Sequence, residues 1–158
     1  MAVFVRYYQE IPRSASAVEA ALTRLPESWL PEVVMTSNAH AWNLMKRVGL
    51  SFGGVRLDRR VHFEISPPRP LGDTCVIAIS WRPVSNNPLL PSLDGDVEIC
   101  PLGEDHAQLA ISARYRPPLG WVGSIADRAL MRRIAEATVK DFLDRVAERV
   151  EVAIPQGR

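Results

Sequence analysis

Much of the chain alternates apolar and polar residues, the pattern of strands that bury one face. The segment Thr74–Arg82 places apolar side chains on one face, namely Cys75, Ile77, Ile79 and Trp81. The same two-residue period recurs twice further on, with Leu93, Val97 and Ile99 and then with Leu109, Ile111, Ala113 and Tyr115. Ala2–Glu10 and Val55–Ile65 predict two more strands. Short connections between consecutive strands predict an antiparallel sheet that is covered on one side.

The last segment predicts one long amphipathic helix that covers this sheet. Ser124 with Asp127 three residues on fits a helix N-cap. Two adjoining apolar ridges follow at helical spacing, Leu130, Ile134, Thr138, Phe142, Val146 and Val150 in one and Met131, Ala135, Val139, Leu143 and Ala147 in the other. Such a wide apolar stripe is suited to lie on a sheet. The helix is expected to end near Val150, and residues 151–158 are expected to form a loose tail.

Short helices are predicted between the first strand and the rest of the sheet. Ser14 or Ser16 can cap a helix that runs to Leu25. Pro26 and Pro31 bracket a turn or a second short helix, and residues 32–42 fit either a loop or a short helix. The predicted fold class is therefore α+β, with a curved antiparallel sheet around a long C-terminal helix, two short helices after the first strand and a single domain over residues 1–158.

Gly53-Gly54 predicts a tight hairpin, because both central positions of such a turn favour positive φ. A two-residue turn pairs Leu44 with Phe63 and Lys46 with Val61. In this register Lys46 and Arg59 fall on the apolar face, where an unpaired charge is costly. They either anchor a ligand carboxylate or phosphate, or extend their side chains out to solvent along a curled sheet. If the loop is longer than two residues, this register does not apply, and Lys46 and Arg59 need not both lie on the apolar face.

Composition narrows the classes of partner. Of 158 residues, 47% are hydrophobic, and 19 lysines and arginines nearly balance 18 acids. This balance disfavours nucleic acid or an anionic membrane as the main partner. No apolar run reaches the roughly 20 residues of a membrane span, and the N-terminus lacks the pattern of a secretory signal, so a cytoplasmic location is expected. Cys75 and Cys100 form no metal motif and lie on opposite strand faces, which disfavours a disulfide.

The order of elements resembles the helix-grip superfamily, often called SRPBCC. This superfamily includes START domains, birch-pollen-allergen-like proteins and polyketide cyclase/dehydrase-like proteins. The resemblance rests on the element order, the proline-glycine entry to the last helix at Arg114–Gly120 and the Ser14–Val18 opening of the first helix. Glu19 stands where an aromatic residue is usual. The resemblance implies a cavity between sheet and helix that holds a hydrophobic ligand. The superfamily has no universal catalytic signature, so catalytic residues stay unknown.

The apolar face of the sheet supplies the candidate ligand-binding residues, since small-molecule pockets are mostly apolar with few polar groups. The candidates are Phe63, Ile79, Trp81, Val97, Ile111 and Tyr115, facing Leu130, Ile134, Thr138 and Phe142, with Lys46 and Arg59 as the possible charged anchor. Tyr7, Trp81 and Tyr115 can give hydrogen bonds to a ligand. The simpler alternative is that these side chains fill the core and bond to backbone carbonyls.

Other candidate chemistry is sparse. His40 is a candidate general base near the rim of the pocket, whereas the patterns around His62 and His106 indicate exposed positions. Asp94 and Asp96 share one charged strand face. The sequence contains neither a metal-ligand cluster nor a phosphate-binding glycine motif, so no metal and no cofactor are expected.

The leading hypothesis is therefore a protein that binds or transports a hydrophobic small molecule, such as a lipid or a polyketide-like compound. One alternative is an enzyme of the cyclase, aromatase or dehydrase kind that uses the same cavity. Another is a protein-interaction module. Either a monomer or a homodimer is compatible with the sequence.

Overall fold

The computed structural model describes residues 2–47, 61–84, 90–117 and 128–155, although not the side chains of residue 42 and residues 45–47. The elements in chain order are β1 (Val3–Ile11), α1 (Ala15–Thr23), a 3₁₀ turn (Pro26–Ser28), α2 (Leu30–Arg47), β2 (Val61–Ile65), β3 (Arg69–Leu71), β4 (Thr74–Pro83), β5 (Ser92–Pro101), β6 (Ala107–Arg116) and α3 (Arg128–Ala153).

The described strands form one six-stranded sheet in which all pairings are antiparallel. The order is β1-β6-β5-β4-β2, and β3 pairs with β4 beside β2. The predicted alternation is confirmed, because the residues predicted for the apolar face of β4, β5 and β6 are buried, apart from the half-buried Cys75. We call this face the inner face, and the opposite, charged face the outer face.

Helix α3 covers the inner face as predicted, and both of its apolar ridges are buried apart from the half-buried Leu130. It continues to Ala153, three residues beyond the expected end. Ile154 then packs on the core, and its amide donates to the Val150 carbonyl at 3.2 Å.

The two predicted helices after β1 are present. Ser14 caps α1, since its side-chain oxygen accepts a hydrogen bond from the Ala17 amide at 3.2 Å. Helix α2 is longer than expected and occupies the segment that fitted either a loop or a helix. Its second residue, Pro31, is compatible with the first turn, where amides lack intrahelical partners.

The predicted Gly-Gly hairpin register is wrong for its first strand. Leu44 and Lys46 lie in α2, and Phe63 pairs with Trp81 of β4. The hairpin turn itself lies outside the described residues. Apolar residues at positions 44, 48 and 50 fit short strands and helices equally well. Up to Arg47 the segment forms a helix and not a strand, because as helix α2 it packs along α3.

The two long helices run antiparallel to each other, as three side-chain contacts along them show. Glu32 meets Arg149 at 3.6 Å, and Ser37 meets Asp141 at 2.9 Å. Further along, Ala41 packs with a cluster from the first turns of α3. The inner face is therefore covered by α3 with α2 beside it, and not by α3 alone.

Gly95 marks a close approach between β5 and β6 in the middle of the inner face. It pairs with Ala113. A Cβ atom at position 95 would contact the Ser112 carbonyl oxygen and would lie 2.6 Å from the Ala113 Cα atom. Because the obstacle is largely backbone, glycine is required here for steric reasons.

Candidate functional site

One row of inner-face residues crosses the whole sheet near one end. Strand register places Phe63, Trp81, Leu93, Tyr115 and Val3 side by side on β2, β4, β5, β6 and β1. Neighbouring strands lie roughly 4.8 Å apart, so Trp81 and Tyr115 stand about 10 Å apart at the backbone. The row thus brings together the two largest predicted hydrogen-bonding side chains of the inner face.

Both of these side chains are buried with unsatisfied polar atoms. Trp81 is 1% exposed and Tyr115 is 0% exposed. The Trp81 Nε1 and Tyr115 Oη atoms have no hydrogen-bond partner among the described residues. An unsatisfied buried donor costs about 1–3 kcal/mol, and most native donors find a partner. Two such donors in one row are therefore the main polar feature of the candidate site.

Burial keeps the Tyr115 hydroxyl protonated. It raises the pKa of Tyr115 well above its ordinary value, because the phenolate would lose its hydration, and the nearby Thr138 hydroxyl opposes this shift. Thr138 donates its own proton to the Ile134 carbonyl at 2.7 Å. Tyr115 can therefore donate a hydrogen bond at neutral pH, but it is not a base.

Aromatic side chains surround the Trp81 end of the row. The Phe142 ring of α3 lies 4.9 Å from the Trp81 ring, centroid to centroid, at an interplanar angle of 53°. Phe63 is half-buried on the neighbouring strand and packs against the core. Ile79, in the next row, is 4% exposed. These predicted residues form a continuous apolar surface beside the Trp81 indole.

Two other predicted site residues lie in a separate cluster. Ile134 and Leu130 pack with Met131, Ala41 and Leu44, between the first half of α3 and the second half of α2. The sequence placed them opposite the sheet because it did not predict α2 alongside α3. The apolar side chains of Leu130 and Ile134 therefore pack against α2.

Tyr7 is held at the sheet edge, away from Trp81. It pairs with Ile111 on β6, and its hydroxyl donates to Asp144 Oδ1 at 2.9 Å. The Lys140 ammonium lies 5.5 Å from the ring centroid. Burial, helped by the Asp144 carboxylate, raises the pKa of Tyr7. Its hydrogen bond is already used, so the hydroxyl stabilises the contact between β1 and α3.

The predicted charged anchor is not assembled in the described part of the chain. The backbone of Lys46 is helical, so it does not lie across a hairpin from Arg59 as predicted. The side chain of Lys46 and the whole of Arg59 lie outside the described residues. Both therefore stay predictions.

Polar residues on the inner side of α2 were missed by the sequence analysis. Ser37 is 0% exposed and donates to Asp141 Oδ2 at 2.9 Å, and the same oxygen accepts from Arg145 Nε at 2.8 Å. Asn38 is 9% exposed, and its Oδ1 atom has no partner among the described residues. Ser37 and Asn38 stand at helical spacing from the apolar Val34 and Ala41, which places all four on one face of a helix. This pattern could be read from the sequence only if the segment had been predicted as a helix.

Titratable groups elsewhere in the described part of the chain form no catalytic arrangement. His40 is half-buried on α2, and His62 and His106 are exposed as predicted. Cys75 and Cys100 are both free. The described residues contain no cluster of His, Cys, Asp and Glu that can hold a metal ion, and none of their helices has the length and apolar character of a membrane span.

Comparisons with known proteins find likeness in structure but not in sequence. Neither the protein-family models nor the curated proteins match this chain. A conserved protein from Geobacillus kaustophilus aligns over 96% of this chain and 97% of its own, with a TM-score of 0.56 and 13% identity. Norcoclaurine synthase from Thalictrum flavum covers 96% of both chains with a TM-score of 0.46 and 10% identity. A START superfamily protein from Mycobacterium smegmatis covers 94% of this chain and 97% of its own, with a TM-score of 0.41 and 12% identity.

Identities this low indicate a common fold and nothing about ligands or activity. The likeness to the Geobacillus protein extends over nearly the whole chain. The described part of this chain has an open antiparallel sheet, two helices after β1 and the long α3. The resemblance drawn from the sequence is thus confirmed at the level of fold, and the chain has the helix-grip fold.

Proposed function

We propose that this protein binds or transports a hydrophobic small molecule between the inner face of the sheet and α3. The observation that carries the proposal is the pair of buried, unsatisfied donors, Trp81 Nε1 and Tyr115 Oη. A ligand that accepts from one or both of them recovers the free energy that each donor loses on burial. A cytoplasmic location stays a prediction of the sequence.

The chemistry of the row defines the class of ligand. An indole nitrogen only donates, and the raised pKa of Tyr115 holds its hydroxyl as a neutral donor. The surrounding surface, from Phe63, Ile79 and Phe142, is apolar. A matching ligand has an apolar body and one or two oxygen acceptors, such as a carbonyl, ester or carboxylate group. Lipids and polyketide-like compounds satisfy this description.

An enzymatic use of the same space requires a group that exchanges protons near neutral pH. Tyr115 does not meet this requirement, because its pKa is shifted further from neutrality. Among the other candidates, Tyr7 already donates to Asp144. We therefore place binding first, and turnover of a bound compound would be the finding that reverses this order.

Native mass spectrometry of the purified protein tests the proposal. The expected result is a stoichiometric mass increment that is removed by organic solvent and identified in the extract as a hydrophobic compound with oxygen acceptors. The double variant Trp81→Phe/Tyr115→Phe should lose most of this increment. Tyr8→Phe is the matched control, because Tyr8 is 60% exposed on the outer face.

Two negative results are informative in different ways. A wild-type protein that carries no compound and binds no fluorescent hydrophobic probe would contradict the proposal and favour the interaction-module alternative. A bound compound that the double variant retains would keep ligand binding but exclude this row as its polar contact.

A further inference from the structure

Asn38 of α2 carries an unsatisfied polar atom inside the protein. Apart from tryptophan and tyrosine, the buried polar side chains of the described residues are Ser37, Asn38 and Thr138. Ser37 donates to Asp141, and Thr138 donates to the Ile134 carbonyl. The Oδ1 atom of Asn38 has no partner among the described residues. Because most buried polar atoms in native proteins are hydrogen-bonded, this acceptor indicates a partner that is not part of the described chain.

Asn38 extends the ridge of α2 that packs into the core of the sheet. Leu30 and Val34 precede it at four-residue spacing, and both belong to the same core cluster as the inner-face residues of β4 and β6. The adjacent ridge faces α3, since Ser37 contacts Asp141 there. Asn38 follows Ser37 by one residue, which turns its side chain about 100° around the helix axis, onto the ridge of Leu30 and Val34.

Asn38 and Tyr115 approach neighbouring turns of α3. The Thr138 hydroxyl lies near the Tyr115 hydroxyl. Asp141, which accepts from Ser37 at 2.9 Å, is three residues further along α3. Residues three apart on a helix are about 5–6 Å apart at their Cβ atoms. The free acceptor of α2 therefore lies at nearly the same level along α3 as the free donors of the sheet.

The three unsatisfied atoms complement one another. The Trp81 indole nitrogen only donates, the Tyr115 hydroxyl is a neutral donor, and the Asn38 carboxamide oxygen only accepts. Each of the three lacks a hydrogen bond, so they do not bond to one another. A molecule that lies between them and carries both an acceptor and a donor satisfies all of them.

We propose that Asn38 is a further ligand-binding residue whose Oδ1 atom accepts a hydrogen bond from a hydroxyl group of the ligand. This inference rests on the proposed function, because it uses the same space between the inner face and the helices. It narrows the class of ligand to apolar compounds with both a carbonyl-type oxygen and a hydroxyl group. An ammonium group fits less well, because a neutral amide oxygen does not compensate a buried charge.

Three chalcones test the need for a ligand hydroxyl, because they share an apolar body and one carbonyl acceptor. 4-Hydroxychalcone carries the donor, 4-methoxychalcone replaces it by an acceptor, and chalcone lacks both. In isothermal titration calorimetry of solvent-extracted protein, the hydroxy compound should bind roughly three- to tenfold more tightly than the methoxy compound. Asn38→Leu, which keeps the side-chain size, should reduce this ratio to less than about twofold. Asn43→Leu is the matched control, because Asn43 is exposed on the same helix, and it should leave the ratio unchanged.

The outcomes separate the role of Asn38 from the ligand site itself. Equal affinity of the wild-type protein for all three chalcones, or an unchanged preference in Asn38→Leu, would overturn the proposal and keep the ligand site. A buried water would then be the partner of Oδ1. Failure to bind the chalcones while another hydrophobic compound is bound would overturn it too. A protein that carries no compound and binds no hydrophobic probe would contradict the proposed function as well. Asn38→Ala repeats the comparison if the leucine variant does not fold.

Discussion

Replacing Tyr115 by phenylalanine should stabilise the ligand-free protein while weakening ligand binding. The Tyr115 hydroxyl is fully buried and has no partner among the described residues, so it contributes an unmet desolvation cost of about 1–3 kcal/mol. Removing the oxygen leaves a void smaller than a methyl group, which costs at most about 1 kcal/mol. The net gain should be about 1 kcal/mol, or roughly 2–4 °C in Tm for a domain of this size.

Urea denaturation of solvent-extracted protein measures this gain. The free energy of unfolding of Tyr115→Phe should exceed that of wild type, and the difference should shrink or reverse when both are saturated with the co-purified compound. The exposed control Tyr8→Phe should change stability by less than about 0.5 kcal/mol. A loss of about 1 kcal/mol in the ligand-free Tyr115→Phe protein would mean that the hydroxyl is already satisfied, and the argument for a ligand acceptor would fail.

Three further predictions concern packing, the helix pair and pH. Gly95→Ala should destabilise the protein by about 2 kcal/mol in urea denaturation, because the new Cβ atom meets β6 backbone, and adding Ala113→Gly should restore only part of this loss. Full rescue would show that the side chain was the obstacle. Ser37→Ala should cost about 1–2 kcal/mol, because it removes a buried hydrogen bond to a carboxylate, whereas the neighbouring, exposed Thr36→Ala should change stability by less than half as much. The folded-state pKa of Tyr115 lies above its ordinary value of 10.0, so ionisation of this hydroxyl leaves the free energy of unfolding unchanged below about pH 10 and lowers it as pH rises from there through the folded-state pKa. Alkaline unfolding of wild type should therefore be steeper than that of Tyr115→Phe, and identical pH profiles would contradict the assigned shift.

Regular alternation made the central sheet predictable. Trp81 and Tyr115 belong to strands whose buried and exposed positions follow the two-residue period, so the sequence alone places both on one face. The buried ridges of α3 were predictable in the same way. In these segments local pattern and tertiary packing agree, which is why the prediction succeeds.

The segment after α1 was harder, because its local signals conflict. Leu44 and Lys46 were assigned to a hairpin on the strength of Gly53-Gly54. The buried side of α2 includes the polar Ser37 and Asn38, which weakens the apolar period that would have indicated a helix. Contact with α3 decides the outcome, and such tertiary contacts are not visible in a local pattern.

Whether each tyrosine hydroxyl has a hydrogen-bond partner also depends on tertiary structure. The sequence shows that Tyr7 and Tyr115 can both donate hydrogen bonds. Only the packing of α3 shows that Tyr7 is paired with Asp144 while Tyr115 has no partner among the described residues. The two tyrosines also differ in strand position, since among the described strands β1 is at the edge of the sheet and β6 is inside it.

The most direct test of the central claim is the indole Nε1–H signal of Trp81 in a ¹H–¹⁵N NMR titration with anilinonaphthalene sulfonate, an apolar probe that carries acceptor oxygens. The signal is assigned by its loss in Trp81→Phe. If a ligand accepts from this donor, the indole proton should shift downfield in a saturable manner, and the other three tryptophans should shift less. If the probe binds while the Trp81 signal stays unchanged, hydrophobic compounds bind elsewhere, and the proposed site between the inner face and α3 is wrong.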